Sequence, residues 1–165
     1  MKIKIIAAIG KNNELGNNGS LPLWNLKTDM ERFKTLTTGK IVVMGRKTFE
    51  SFPERFRPLP NRRNIVLTRD RNWQAQGAEN FESLEKFLEE NNPDEIWIIG
   101  GGEIYKKFLN KANELYITHV DANFEADTFF PEIDENIWQK VSEEKFLTDE
   151  KNSHNTIYTI YERKS

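Results

Sequence analysis

The 165-residue chain has no cysteine. That removes disulfides, thiolate nucleophiles and cysteine-ligated metals, and it fits a reducing compartment. No apolar run approaches the roughly 20 residues needed to cross a bilayer. Met1-Lys2-Ile3-Lys4 runs straight into an apolar strand without a signal-peptide cleavage pattern. Neither charge sign dominates: 24 Lys and Arg against 26 Asp and Glu leave a net charge of −2, which gives no global pull toward nucleic acid or membrane. The two histidines, His119 and His154, are not in metal-ligand spacing and read as structural. Repeats, low-complexity tracts and linkers are missing too. The expectation is one soluble cytoplasmic domain over residues 1–165, long enough for a single sizeable core.

What the chain does have is alternation. Short apolar runs at 3–9, 41–44, 65–68, 96–99, 115–120 and 156–161 read as strands. The second and fourth are continuous rather than alternating, as expected when both sheet faces are covered. Between the strands lie helix candidates at 26–37, 48–52, 83–91 and 104–109. This order predicts an α/β domain with a mostly parallel central sheet, and the absence of a helix between the last two strands predicts a terminal antiparallel strand. Residues 10–23 have neither period, and a loop of that length in a compact domain is commonly a lid or disordered.

The helix at 26–36 carries one misfit. At about 100° per residue, Leu26, Met30, Phe33 and Leu36 fill a stripe roughly 120° wide, and Lys27, Thr28, Glu31, Arg32, Lys34 and Thr35 cover the other side. Asp29 falls inside the apolar stripe. An ionised carboxylate turned toward a core costs several kcal/mol unless something pairs with it. A buried arginine, a backbone cap or a water would satisfy it structurally; otherwise its partner is a ligand. Thr28 or Asn25 can serve as N-cap, so Asp29 is not needed for that role.

Three strand ends share a second pattern. Ile98-Ile99-Gly100-Gly101-Gly102-Glu103-Ile104-Tyr105 is a buried strand, three glycines and a helix, a geometry that lets backbone N–H groups approach an anion. It is neither a Walker loop nor Gly-x-Gly-x-x-Gly, and tight strand–helix packing explains its glycines equally well. Met44-Gly45-Arg46-Lys47-Thr48 repeats the geometry with two cations and a hydroxyl, and Leu67-Thr68-Arg69 ends a third strand similarly. Together they point to a ligand with several phosphates along the carboxyl edge of the sheet. A dinucleotide with an extra ribose phosphate, NADPH rather than NADH, would use all three.

An ordered set of segments resembles bacterial dihydrofolate reductase: Ile6-Ala7-Ala8, Leu15-Gly16, Leu21-Pro22 before Trp24-Asn25-Leu26, Asp29 with Phe33, Met44 to Thr48, Arg57-Pro58-Leu59-Pro60, Arg62, Ile99 to Gly102, Tyr105, Tyr116-Ile117-Thr118, and Asp127-Thr128 before Phe130-Pro131. The resemblance implies an eight-stranded, mainly parallel sheet with flanking helices and an antiparallel C-terminal strand. It also implies hydride transfer from NADPH to carbon 6 of dihydrofolate with protonation of N5, supplying one-carbon metabolism. Asp29 would hold the pterin's amino and ring N–H groups, with Thr118 supporting the same edge through water and Leu21 and Trp24 completing the catalytic set. Ile6, Ala7, Leu21, Phe33, Phe52, Leu59 and Ile99 would line the slot, and Arg62 would take a carboxylate of the substrate's glutamate tail. Ala8, Leu15, Gly16, Gly45, Arg46, Lys47, Thr48, Leu67, Thr68, Arg69, Gly100, Gly101, Gly102, Glu103, Ile104 and Tyr105 would surround the cofactor.

Three departures accompany the resemblance. Leu23 stands between Pro22 and Trp24, residues 51–57 are longer than in compact relatives, and Glu103 sits where some relatives carry a cation, which would soften the preference for NADPH. The expected partners are dihydrofolate and antifolate inhibitors, with no nucleic acid, no membrane and a monomeric chain. Two rival readings share the glycine turns: an NADPH-dependent reductase of a ribosylamino-pyrimidine, and a non-catalytic nucleotide-binding module. Neither gives Asp29, Trp24 and Phe33 a reason to be together.

Overall fold

The computed structural model describes residues 1–16 and 25–165. Its sheet strands are β1 Lys2–Ile9, β3 Ile41–Gly45, β4 Arg63–Leu67, β5 Ala78–Phe81, β6 Glu95–Gly100, β7 Glu114–Val120, β9 Trp138–Phe146 and β10 Thr156–Arg163. They form one eight-stranded sheet in the order β5-β4-β3-β6-β1-β7-β10-β9. Every pairing from β5 to β7 is parallel, and β10 runs antiparallel to both β7 and β9. A separate two-stranded ladder joins β2 Glu14–Gly16 to β8 Thr128–Phe129. The helices are α1 Lys27–Thr37, α2 Arg46–Ser51, α3 Leu84–Asn91 and α4 Gly102–Phe108.

All six expected strands and all four helices are present, with ends moved by a few residues. α2 and α4 begin two residues earlier than expected, at the strand-end turns themselves. Four strands escaped the apolar-run reading. β5 is Ala-Glu-Asn-Phe, and β9 is exposed over all its central residues. These are the two sheet edges, where polar and charged residues discourage further pairing and erase the hydrophobic signal. β2 and β8 are three and two residues long, too short for any period.

Alternation on β1 divides the molecule. Ile3, Ile5, Ala7 and Ile9 point into a core shared with Leu84, Phe87, Tyr105 and Phe108 of α3 and α4. Ile6 points to the opposite face, into a second core of Met44, Phe49, Leu59, Trp97 and Ile99, covered by Phe33 and Leu36 of α1. α1 has Leu26 as its cap residue and no side-chain cap, so neither Thr28 nor Asn25 takes that role. The C-terminal region closes the helix end instead: Lys27 N donates to Lys151 O at 3.1 Å, and Thr28 N donates to Asn152 Oδ1 at 3.2 Å. This docking satisfies helix donors that lack intrahelical partners.

The α1 stripe also differs from its wheel. Met30, counted as apolar-face, is 67% exposed. Arg32, counted as polar-face, has only 16% of its side chain exposed.

Candidate active site

Asp29 projects from α1 toward the sheet, with 24% of its side chain exposed. Thr118 of β7 is buried and donates its hydroxyl to Asp29 Oδ1. Arg32, three residues along the helix, donates from Nη1 to the same oxygen at 3.1 Å. Burial pushes the Asp29 carboxyl above the usual carboxylate range, while the Thr118 hydrogen bond and the Arg32 charge pull it down. Oδ1 thus accepts two donors, and a carboxylate has about four acceptor positions. The remaining capacity lies mainly on Oδ2.

Register explains why these groups meet. Ala8 of β1 pairs with Thr118, and Thr118 pairs with Tyr158 of β10. One row across the sheet therefore passes under α1. Helix neighbours three apart are separated by about 5–6 Å, similar to paired residues on adjacent strands. Asp29 consequently stands over Thr118 while Arg32 stands over Tyr158, its guanidinium carbon 3.9 Å from that ring centre.

Most of the described apolar side chains expected beside Asp29 share one cluster. Leu59 and Ile99 are buried in the α1-side core, and Ile6, Phe33 and Phe52 pack against it while remaining partly exposed. Ala7 is a correction as to its side chain: alternation turns that methyl into the opposite core, away from Ile6 and Phe33. At the far end, Arg62 donates from Nη1 to Thr37 Oγ1 at 3.1 Å and from Nε to Pro60 O at 2.9 Å. Its guanidinium carbon lies 5.9 Å from the Phe33 ring centre, and burial lowers its pKa. Asn64 fixes this corner. Fully buried, it accepts from Leu59 N and donates to Leu59 O and Arg62 O, all at 2.9–3.0 Å. Leu21 and Trp24 lie outside the described residues, as do Pro22 and Leu23.

Sheet order brings the three strand-end turns together, because β4, β3 and β6 are consecutive neighbours ending at one edge. Gly100 has φ of +138°, a conformation open essentially to glycine alone. A Cβ on Gly101 would lie 2.9 Å from Thr48 Oγ1, so the Thr48 side chain lies directly against the Gly101 backbone. That close approach fits a phosphate cradle. Arg46 is held at the rim by Glu50 (3.1 Å) and Asp70 (3.2 Å), and Lys47, Arg69 and Glu103 are exposed. Gly45 lies against Ile104, and Thr68 Oγ1 accepts from Asp70 N. Leu67, Leu15 and Ile104 belong to or pack on the α3–α4 core, and Ala8 is half-buried on the α1 side. Tyr105 is buried, its hydroxyl donating to Ile6 O at 2.7 Å; burial raises its pKa. It ties the glycine turn to β1.

Glu14 is a buried carboxylate that sequence reasoning missed. Its two oxygens accept from Asn12 N (2.6 Å) and Phe124 N (3.0 Å), fastening the start of the 10–16 segment, and Gly16 O accepts from Asp127 N. Burial pushes Glu14 up, but the backbone N–H donors outweigh it and hold the carboxyl below its ordinary range. No feature of period flags Glu14, because its partners are backbone groups more than a hundred residues apart. Arg32 carried a usable signal in its three-residue spacing from Asp29. Both histidines have local partners: His119 Nε2 lies 2.9 Å from Tyr161 Oη, and His154 Nδ1 lies 2.7 Å from Ser153 Oγ. Among the described residues no His, Asp or Glu cluster suits a metal, and no helix is long and apolar enough to cross a membrane.

An inward acid at one end of an apolar slot and a glycine-lined strand edge beside it define a class: α/β oxidoreductases that set a flat, donor-edged ring against a phosphorylated dinucleotide. The sequence profile of the dihydrofolate reductase family matches residues 2–163. The chain is 43% identical over 155 residues to dihydrofolate reductase type 3 of Salmonella typhimurium, covering 93% of each. It is 40% identical over 164 residues to dihydrofolate reductase of Bacillus subtilis strain 168, covering 99% of this chain and 95% of that one. Among solved structures, dihydrofolate reductase from Enterococcus faecalis, complexed with NADP(H) and RAB-propyl, superposes with a TM-score of 0.90 at 37% identity over 99% of this chain and 97% of that one. The chain belongs to the dihydrofolate reductase family.

Proposed function

We propose that Asp29 and Thr118 seat the pterin of 7,8-dihydrofolate for NADPH-dependent reduction to 5,6,7,8-tetrahydrofolate. The observation that carries this reading is the half-buried Asp29 carboxylate, fastened by one oxygen at the end of an apolar slot. A flat ring with an amino group and a ring N–H on one edge matches the remaining carboxylate surface. Ile6, Phe33, Phe52, Leu59 and Ile99 give that ring and its benzoyl extension an apolar bed, and Arg62 stands where the tail carboxylate would emerge.

When bound, NADPH supplies the hydride that reaches carbon 6. Gly45 to Thr48, Leu67 to Arg69 and Gly100 to Tyr105 would hold it, with Ala8, Leu15 and Gly16 beside its nicotinamide end. Hydride addition leaves negative character on the ring, and a proton at N5 completes the product. Asp29 faces the amino edge, away from N5, so it orients the pterin and raises its basicity while water carries the proton.

The test is one cuvette. Loss of nicotinamide absorbance on adding dihydrofolate supports the reading. Loss only with a ribosylamino-pyrimidine, or none despite cofactor binding, replaces it with one of the rivals. We read the protein as a cytoplasmic monomer acting without nucleic acid or membrane, with antifolates competing for the Asp29 slot. Sedimentation at micromolar concentration tests the monomer.

A further inference from the structure

We propose that Arg32 is a positioning residue for the reaction: clamped against two aromatic rings, it holds one oxygen of Asp29 and leaves the other to substrate. The inference rests on the role given above to Asp29. Its observations are separate. The Arg32 guanidinium carbon lies 3.9 Å from the Tyr158 ring centre and 4.9 Å from that of Phe146. Its Nη1 reaches Asp29 Oδ1 at 3.1 Å, and 84% of its side chain is shielded from solvent. A planar guanidinium stacked on a ring has few orientations left, so its donors arrive preset.

The clamp is built from the sheet. Tyr158 pairs with Thr118 on one side and Glu144 of β9 on the other, while Phe146 lies two residues further along β9. The groups facing Asp29 are therefore Arg32 on its own helix, Thr118 on β7 and Tyr158 on β10, with Glu144 beyond Tyr158. Burial raises the Tyr158 phenol, while Arg32 pulls it down and Asp29 and Glu144 push it up, so it is a neutral neighbour at physiological pH. Arg32 is then the cation that offsets the burial of Asp29. Substrate binding through a carboxylate fails once the carboxylate is protonated. Without Arg32, that failure sets in at higher pH.

The experiment measures dihydrofolate binding by quenching of tryptophan fluorescence, and kcat and KM by nicotinamide absorbance, from pH 5 to 8. Wild type is compared with Arg32→Met, Arg32→Lys and Tyr158→Leu. Arg32→Met should weaken binding about tenfold near pH 5.5 and less than threefold at pH 8, with the acid limb displaced upward. Arg32→Lys should restore the limb in part, because the charge returns without the planar, ring-stacked donors, and Tyr158→Leu should also displace it partway. An acid limb identical in Arg32→Met and wild type overturns the proposal, as does equal weakening at every pH. If Arg32→Met does not fold, an unmoved limb in Tyr158→Leu overturns it instead. Failure of wild type to reduce dihydrofolate sinks the functional reading before the variants are compared, so the two failures are distinct.

Discussion

Replacing Asp29 by Asn should pull activity and stability in opposite directions. Asn presents one acceptor where Thr118 and Arg32 converge, so the protein-side contacts to Oδ1 survive in outline. At the second position an NH2 group replaces the acceptor and meets the pterin's own donors. The loss is one to two charge-assisted hydrogen bonds, each about 1.5–3 kcal/mol. At about 1.4 kcal/mol per decade, a total of about 1.5–6 kcal/mol lowers kcat/KM by roughly tenfold to twenty-thousand-fold at neutral pH. Part of the loss should return in acid, where substrate arrives already protonated.

The folded protein should meanwhile gain. Burial raises the Asp29 carboxyl above its ordinary value of 3.8, despite Thr118 and Arg32. An acid whose folded value is raised adds stability below its unfolded value and forfeits it as pH rises through the folded one. At pH 7 the ionised side chain is therefore a net burden that Asn removes. A difference of 1 kcal/mol moves Tm by about 2–4 °C in a domain near this size. Calorimetry should show a Tm increase at pH 7 that shrinks toward pH 4, beside the kinetic loss. Normal turnover of Asp29→Asn at neutral pH refutes the role in seating substrate. A lowered Tm at pH 7 refutes the electrostatic account.

Asn64→Ala strands two buried groups, Leu59 N and Leu59 O, and the part-buried Arg62 O; at about 1–3 kcal/mol per unmet buried group, urea unfolding should show a loss of about 2–6 kcal/mol. Its KM for dihydrofolate should rise more than its KM for NADPH, because the corner it fixes carries Leu59 and Arg62. Gly100→Ala forces a side chain onto φ of +138° and should cost about 1–3 kcal/mol by thermal unfolding, with NADPH affinity falling in fluorescence titrations. Glu14→Gln should lower stability at pH 7, and lower it less as pH falls below the ordinary carboxylate range. The depressed Glu14 carboxyl adds stability above its ordinary value of 4.5 and forfeits it as pH falls through its lower folded value.

Periodicity located the elements that are buried and lost those that are not. β1, β3 and β6 announce themselves as apolar runs, whereas β5 and β9 carry Glu, Asn, Lys and Gln because a sheet edge faces water. The three strand-end turns are legible individually as buried strand, glycine, hydroxyl and cation. Their adjacency is not, since the order β4-β3-β6 is fixed by pairings between distant segments. Helix phase found Asp29 with a stripe that was partly miscounted. Met30 faces water, and Arg32 turns inward because Tyr158 and Phe146 offer it rings. Asn64 and Glu14 left no trace in the pattern, as a side chain that serves backbone groups looks like any loop residue until the loops are placed.

The acid at position 29 is tolerable because two spacings agree. Along α1 the step from Asp29 to Arg32 is about 5–6 Å, and across the sheet the step from Thr118 to Tyr158 is about the same. A helix laid over that row brings both pairs into contact at once, so a hydroxyl and a guanidinium meet the carboxylate without any backbone strain among these four residues. Each alone would fall short: Thr118 brings no charge, and an unclamped arginine would lose side-chain entropy on reaching inward. Together they hold one oxygen and leave burial only partly offset, since the carboxyl still lies above its ordinary range. On the role proposed for Asp29, that residual imbalance is what a donor-edged substrate would relieve on arrival. It follows that Thr118→Val and Arg32→Met should each weaken pterin binding, and that their effects should not add, because both act through the same Asp29 oxygen.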